Sequence, residues 1–124
     1  MSRKIWNGSS YVALSSESGA SSLEPGAWVE VTASLSANSD LMSVYLPGTS
    51  ANGIDTSMLL QVGVGASGEE VVVSEIGVGY NPSTRLLDIP GRLDAGERVS
   101  LRVVGVRISI SYSFHVTFFG DLGI

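Results

Sequence analysis

The stretch from Arg107 to Phe119, RISISYSFHVTFF, alternates almost without error. Ile108, Ile110, Tyr112, Phe114, Val116 and Phe118 share one phase, and Arg107, Ser109, Ser111, Ser113, His115 and Thr117 the other. A period of two places successive side chains on opposite sides of a sheet, so this segment reads as a β-strand with one buried and one polar face. A strand of that kind needs a second apolar layer to cover it. The same pattern recurs, less purely, along most of the chain.

Turn signals come every 8 to 12 residues or so from Leu23 onward, the spacing of a sandwich or barrel. Trp28 to Leu35 predicts a strand with Val29, Val31, Ala33 and Leu35 inward, and Leu41 to Leu46 another that ends at Pro47-Gly48. A loop rich in Ser, Thr, Gly and Asn follows, then Met58 to Val64 with Met58, Leu60, Val62 and Val64 inward. Glu69 to Val78 changes apolar phase between Val73 and Ile76, which predicts a bulge or strand end near Ser74-Glu75. Arg85 to Ile89 reads as a short strand broken by Pro90-Gly91, and Asp94 to Glu97 as a tight turn into Arg98 to Val106. No window has helical periodicity, and 15 glycines weigh against long helices.

The expectation is an all-β antiparallel β-sandwich of seven to eight strands, jelly-roll-like, with an immunoglobulin-like sandwich as the structural competitor. Two units are read. Residues 1–22 form an N-terminal arm and linker, in which Lys4-Ile5-Trp6 and Tyr11 to Leu14 flank Asn7-Gly8 as a small hairpin before the polar tract Ser15 to Ser22. An ordinary N-terminal strand followed by a loop is the alternative reading of that arm. Residues 23–124 form the sandwich domain.

Length and charge bound the function. A chain of 124 residues buries about two-thirds of its unfolded surface in one core. A net charge of -5, one lysine and scattered arginines exclude a phosphate-binding surface and with it a nucleic-acid partner. With no cysteine there are no disulfides and no thiolate metal sites, so stability rests on packing or assembly. No segment approaches the roughly 20 apolar residues of a membrane-spanning helix, and the opening MSRKIWNGSSYVAL lacks the apolar stretch of a signal peptide. Neither membrane association nor ordinary export is expected.

No catalytic constellation accompanies the fold pattern. His115, the only histidine, falls in the polar phase beside Ser113 and Thr117 and reads as a surface or interface residue. Glu69-Glu70 would point to opposite faces, wrong for sharing a proton or a metal, and Asp40, Asp55, Asp88, Asp94, Glu97 and Asp121 lie in or beside turns. Gly63, Gly65 and Gly68 make a Gly-x-Gly-x-x-Gly string, but a strand follows it rather than a helix, so it reads as a turn. No enzyme activity, metal or cofactor is expected. Trp28 and Tyr45 are out of phase with the inward Val29 and Val44. With Trp6, Tyr11 and Tyr80 they are candidates for a sugar-stacking platform or for contacts with another subunit.

The block Gly26-Ala27-Trp28-Val29-Glu30-Val31-Thr32-Ala33-Ser34 and the later run Leu59 to Val73 resemble a group of tailed-bacteriophage virion proteins, as do Ile89-Pro90 and Ala95 to Val99. The opening Lys4 to Val12 is similar to short starts of phage fibre and appendage proteins. The resemblance implies a non-enzymatic virion module, assembled in the host cytoplasm, commonly a β-sandwich and commonly trimeric. A capsid decoration or cement protein bound to the major capsid protein is the leading expectation; a tail-fibre or tail-tip module that binds bacterial surface glycan is the alternative. Lys4, Ile5, Trp6, Tyr11, Val12 and Leu14 are the expected attachment residues. Trp28, Tyr45, Asn52, Asp55, Tyr80 and His115 are the expected interface or ligand residues.

Overall fold

A computed structural model of the chain describes residues 4–6, 12–17, 23–46, 58–78, 85–105 and 111–121. Nine strands are named in chain order: β1 (Lys4–Trp6), β2 (Val12–Glu17), β3 (Val29–Thr32), β4 (Ser39–Leu46), β5 (Met58–Val64), β6 (Val71–Val78), β7 (Arg85–Leu93), β8 (Val99–Gly105) and β9 (Ser111–Asp121). All named pairings are antiparallel, and no helix occurs among the described residues. One sheet runs β2-β9-β4-β7, with β1 also on β9; the other runs β3-β8-β5-β6. From β2 to β5 the chain changes sheet at every step, and again at β6-β7, β7-β8 and β8-β9. This interleaving of two four-stranded orders is the jelly roll.

The apolar phases meet between the sheets. Met42 and Val44, Leu87 and Ile89, and Phe114, Val116 and Phe118 from the first sheet face Met58, Leu60 and Val62, and Val99, Leu101 and Val103, from the second. Phe114, Val116 and Phe118 are at most 1% exposed, so the most regular alternation in the sequence supplies the centre of the core. Ile108 and Ile110 lie outside the described residues. Each large buried side chain of this kind contributes roughly 1.5–3 kcal/mol relative to exposure.

Several expectations change at their ends. The N-terminal segment is not a hairpin: β1 and β2 run in the same direction along β9, with Trp6 opposite Phe119 and Val12 opposite Val116. They act as one interrupted edge strand, because the long alternating β9 offers an unused row of backbone groups. The strand expected from Trp28 to Leu35 shortens to Val29–Thr32. Its register shifts between Glu30 and Thr32, and Ala33 is exposed where the chain leaves the sheet. Leu35 returns to the core, held by exchanged backbone hydrogen bonds: its N–H donates to Glu97 and its carbonyl accepts from Gly96.

Pro90-Gly91 does not break its strand. β7 is a sheet edge, where the missing N–H of proline costs no ladder bond. The irregularity is taken up by a register shift between Ser39 and Leu41, with Gly91 at φ +153°. The bulge in β6 falls at Val73, between the pairs Val62–Ser74 and Gly63–Val72, one residue before the expected site. Gly65 and Gly68 take φ +123° and +88° in the β5–β6 connection, so the Gly-x-Gly-x-x-Gly string is the turn its sequence context indicates.

Candidate interaction faces

The outward positions of the two sheets carry the chemistry, and they differ. On β3-β8-β5-β6, register sets Arg102 opposite Gln61 and Gln61 opposite Glu75. The side chains follow that order. The Arg102 guanidinium lies 4.4 Å from the centre of the Trp28 ring, its Nε donates to Gln61 Oε1 at 2.6 Å, and Gln61 Nε2 donates to Glu75 Oε2 at 2.9 Å. The result is one continuous row from Trp28 across three strands, β8, β5 and β6. The far end of the Trp28 ring packs on Gly63, where a Cβ would come within 2.6 Å of Cη2. Gly63 is therefore the seat that lets Trp28, just before β3, reach over β8 to β5.

A second tie closes the end of this face. Arg98 Nε donates to Glu30 at 2.8 Å, while one terminal nitrogen reaches Glu70 Oε2 at 3.0 Å and the Gly65 carbonyl at 3.1 Å. The Glu70 side chain is only 5% exposed. A hydrogen bond from its own backbone N–H, then Arg98 and the Gly68 N–H, hold its carboxyl below the usual value of 4.5 against the upward push of burial. Arg98 is raised in turn, chiefly by its hydrogen bond to Glu30 and then by that to Glu70. One cation thus joins β3, the start of β8 and the β5–β6 turn.

The outer face of β9-β4-β7 is a grid of three rows. Leu41 stands opposite Phe119 and Pro90; Ser43 opposite Thr117 and Asp88; Tyr45 opposite His115 and Leu86. The first and third rows are mainly apolar or aromatic, and the middle row is polar. Asp88 is the only acidic residue among these nine, and no lysine or arginine is among them. It accepts a hydrogen bond from Ser43 Oγ at 2.7 Å, and the Tyr45 and His115 rings meet edge to face with centres 5.6 Å apart. Leu86 is 65% exposed.

Tyr45 and His115, chosen separately from the sequence, are brought together here. Trp28 is outward as its phase predicts, but on the other sheet, so Trp28 and Tyr45 do not share a sugar-stacking platform. One face of Trp28 is taken by Arg102. Lys4, Ile5, Trp6, Val12 and Leu14 lie in β1 and β2 against β9. Tyr11, Asn52, Asp55 and Tyr80 lie outside the described residues. The sequence reading missed Leu41, Leu86, Asp88 and Phe119 as members of one surface. Their common outward phase was legible strand by strand, but the order β9-β4-β7 that makes them neighbours was not.

Among the described residues no three His, Asp or Glu side chains gather where they could hold a metal ion. No protein-family model matches the chain, and no curated protein or solved structure shows significant similarity to it.

Proposed function

We propose that this chain is a non-enzymatic structural protein of a bacteriophage particle, a capsid decoration or cement protein that works through the surfaces it presents. The observation that carries the reading is the weakly charged grid Leu41–Phe119–Pro90 / Ser43–Thr117–Asp88 / Tyr45–His115–Leu86 on one sheet of the jelly roll. Charge depletion with half-buried aromatic groups and an exposed aliphatic side chain, Leu86, is a composition found at contact surfaces. The resemblance of its Gly26 to Ser34 and Leu59 to Val73 blocks to virion proteins supplies the setting. Its mechanism is mass action: each interface of roughly 800 Å² per partner binds only the assembled particle and so stabilises it.

Copy counting in purified particles, by quantitative mass spectrometry with imaging, tests the reading. Hundreds of copies over the shell are expected. Absence from particles overturns it. A few tens of copies at the tail select the second reading, a glycan-binding host-recognition module. That reading draws on Tyr45 standing one row along the same face from the Ser43–Asp88 pair, an aromatic group near hydrogen-bonding groups.

A further inference from the structure

A sheet edge presents a row of backbone N–H and C=O groups that a further strand can pair with, and folded chains blunt such edges with short strands, proline, lysine or bulges. Three of the four edges here are blunted. β3 has four residues and a register shift, β7 carries Pro90 beside a register shift, and β1 and β2 are pieces of three and six residues. The fourth, β6, is eight residues long and has neither proline nor lysine. Among the described residues it pairs only with β5, and beyond its bulge at Val73 residues 74–78 keep unbroken register with residues 58–62.

The side chains of β6 are as open as its backbone. Of the five large apolar side chains exposed among the described residues, three are consecutive on this strand: Val71 at 62%, Val72 at 38% and Val73 at 46%. Beside them the two sheets part. A cleft of about 40 Å³ between β6 and β7 is lined by Val73, Pro90 and the core residues Met42, Val62 and Ile89. It has room for a small aliphatic side chain.

Charge selects among the strands that could lie there. From Glu69 to Val78 there are three glutamates and no lysine or arginine. Arg98 neutralises Glu70, whereas Glu75 is held only by the Gln61 amide, and Glu69 and Glu75 have no cationic partner among the described residues. A second copy of β6 would bring its own glutamates to an edge that already carries them. A segment with lysine or arginine would meet opposite charge. We propose that the free edge of β6 is a strand-addition site for an extended, cationic segment of a partner protein. Its backbone continues the sheet beyond β6, and one of its small aliphatic side chains enters the cleft between β6 and β7.

Titration of the full ¹⁵N-labelled chain with the blocked peptide acetyl-Lys-Thr-Val-Thr-Val-Thr-Lys-amide tests the proposal. Saturable shifts centred on residues 71–78 are expected, with amide exchange there slowed about ten-fold or more. Replacing both peptide lysines by glutamate weakens binding by about ten-fold or more. Methylating alternate peptide nitrogens abolishes it, because the added strand then lacks its donors. Val73→Lys, with circular dichroism unaltered, weakens binding to the same degree, and Leu86→Lys on the other sheet leaves it unchanged. No response of residues 71–78 at millimolar peptide overturns the proposal, as does equal binding of the methylated or the glutamate peptide. Protection of the same residues that rises with chain concentration alone assigns the edge to a second copy and also overturns it. The virion reading is tested separately by copy counting.

Discussion

The two outer faces of this jelly roll are made from the same pleat and the same alternation, yet they use their outward positions in opposite ways. On β3-β8-β5-β6 a cation, an amide, a carboxylate and an indole are joined strand to strand, and Arg98 closes the end with two carboxylates. Those groups find their partners inside the chain. On β9-β4-β7 the polar row is short, its serine is already engaged with Asp88, and the flanking rows offer rings and aliphatic groups. The difference teaches that outward positions are used in different ways: cross-strand partners tie the polar groups of one face to one another and leave Val71, Val72 and Val73 exposed at its β6 edge, while the other face has few such ties and exposes Leu86.

The layer common to both faces sets the scale for breaking this contrast. Phe114→Ala is expected to cost about 3–5 kcal/mol in chemical denaturation, because a fully buried ring is replaced by a cavity between the sheets. On β3-β8-β5-β6, Gly63→Val should cost about 1–3 kcal/mol by displacing the Trp28 ring. Adding Trp28→Ala should recover part of that loss, since neighbours in contact are not additive. Equal costs in both backgrounds would show that Trp28 is not seated on Gly63.

The Arg98 tie predicts an acid limb. A carboxyl whose folded-state value is depressed contributes stability that is fully present above its ordinary value of 4.5 and is lost as pH falls through the lowered one. Thermal unfolding followed from pH 7 downward should therefore show a decline in that acid range which Glu70→Gln reduces. The smallest effect belongs to the other face. Leu86→Ser, at a 65% exposed site, should change monomer stability by no more than about 0.5 kcal/mol while altering association.

Much of the fold was legible because it depends on period. Phe114, Val116, Phe118, Leu101 and Val103 declare their burial by alternation alone, and the Gly65 to Gly68 turn by its context between two strands. Strand ends were less so. Val29–Thr32 stops where a register shift and the Leu35–Glu97 contact intervene, and neither has a local sequence signal. Pro90 looked like a break because its position at a sheet edge is a property of topology. The N-terminal segment misled for the same reason: Asn7-Gly8 favours a hairpin locally, but β9 provides a longer partner for both halves. Deleting residues 1–14 would consequently strip β1 and half of β2 from the sheet, so it is not a clean test of attachment.

Tyr45 and His115 were found from phase, whereas Leu41, Leu86 and Phe119 became a surface only once β4 was known to lie between β9 and β7. A site of that kind is written in long-range pairing. The pairs Tyr45–His115 and Leu41–Phe119 join residues far apart in the chain, and a single sequence does not state which strands meet.

Hydroxyl-radical footprinting of the free chain at high dilution against the chain in purified particles compares the two faces in one experiment. The expected result is protection of Tyr45, Leu86 and Phe119 on assembly, with Trp28 unchanged. Protection of Trp28 with Tyr45, Leu86 and Phe119 still reactive would contradict the assignment of β9-β4-β7 as the contact surface.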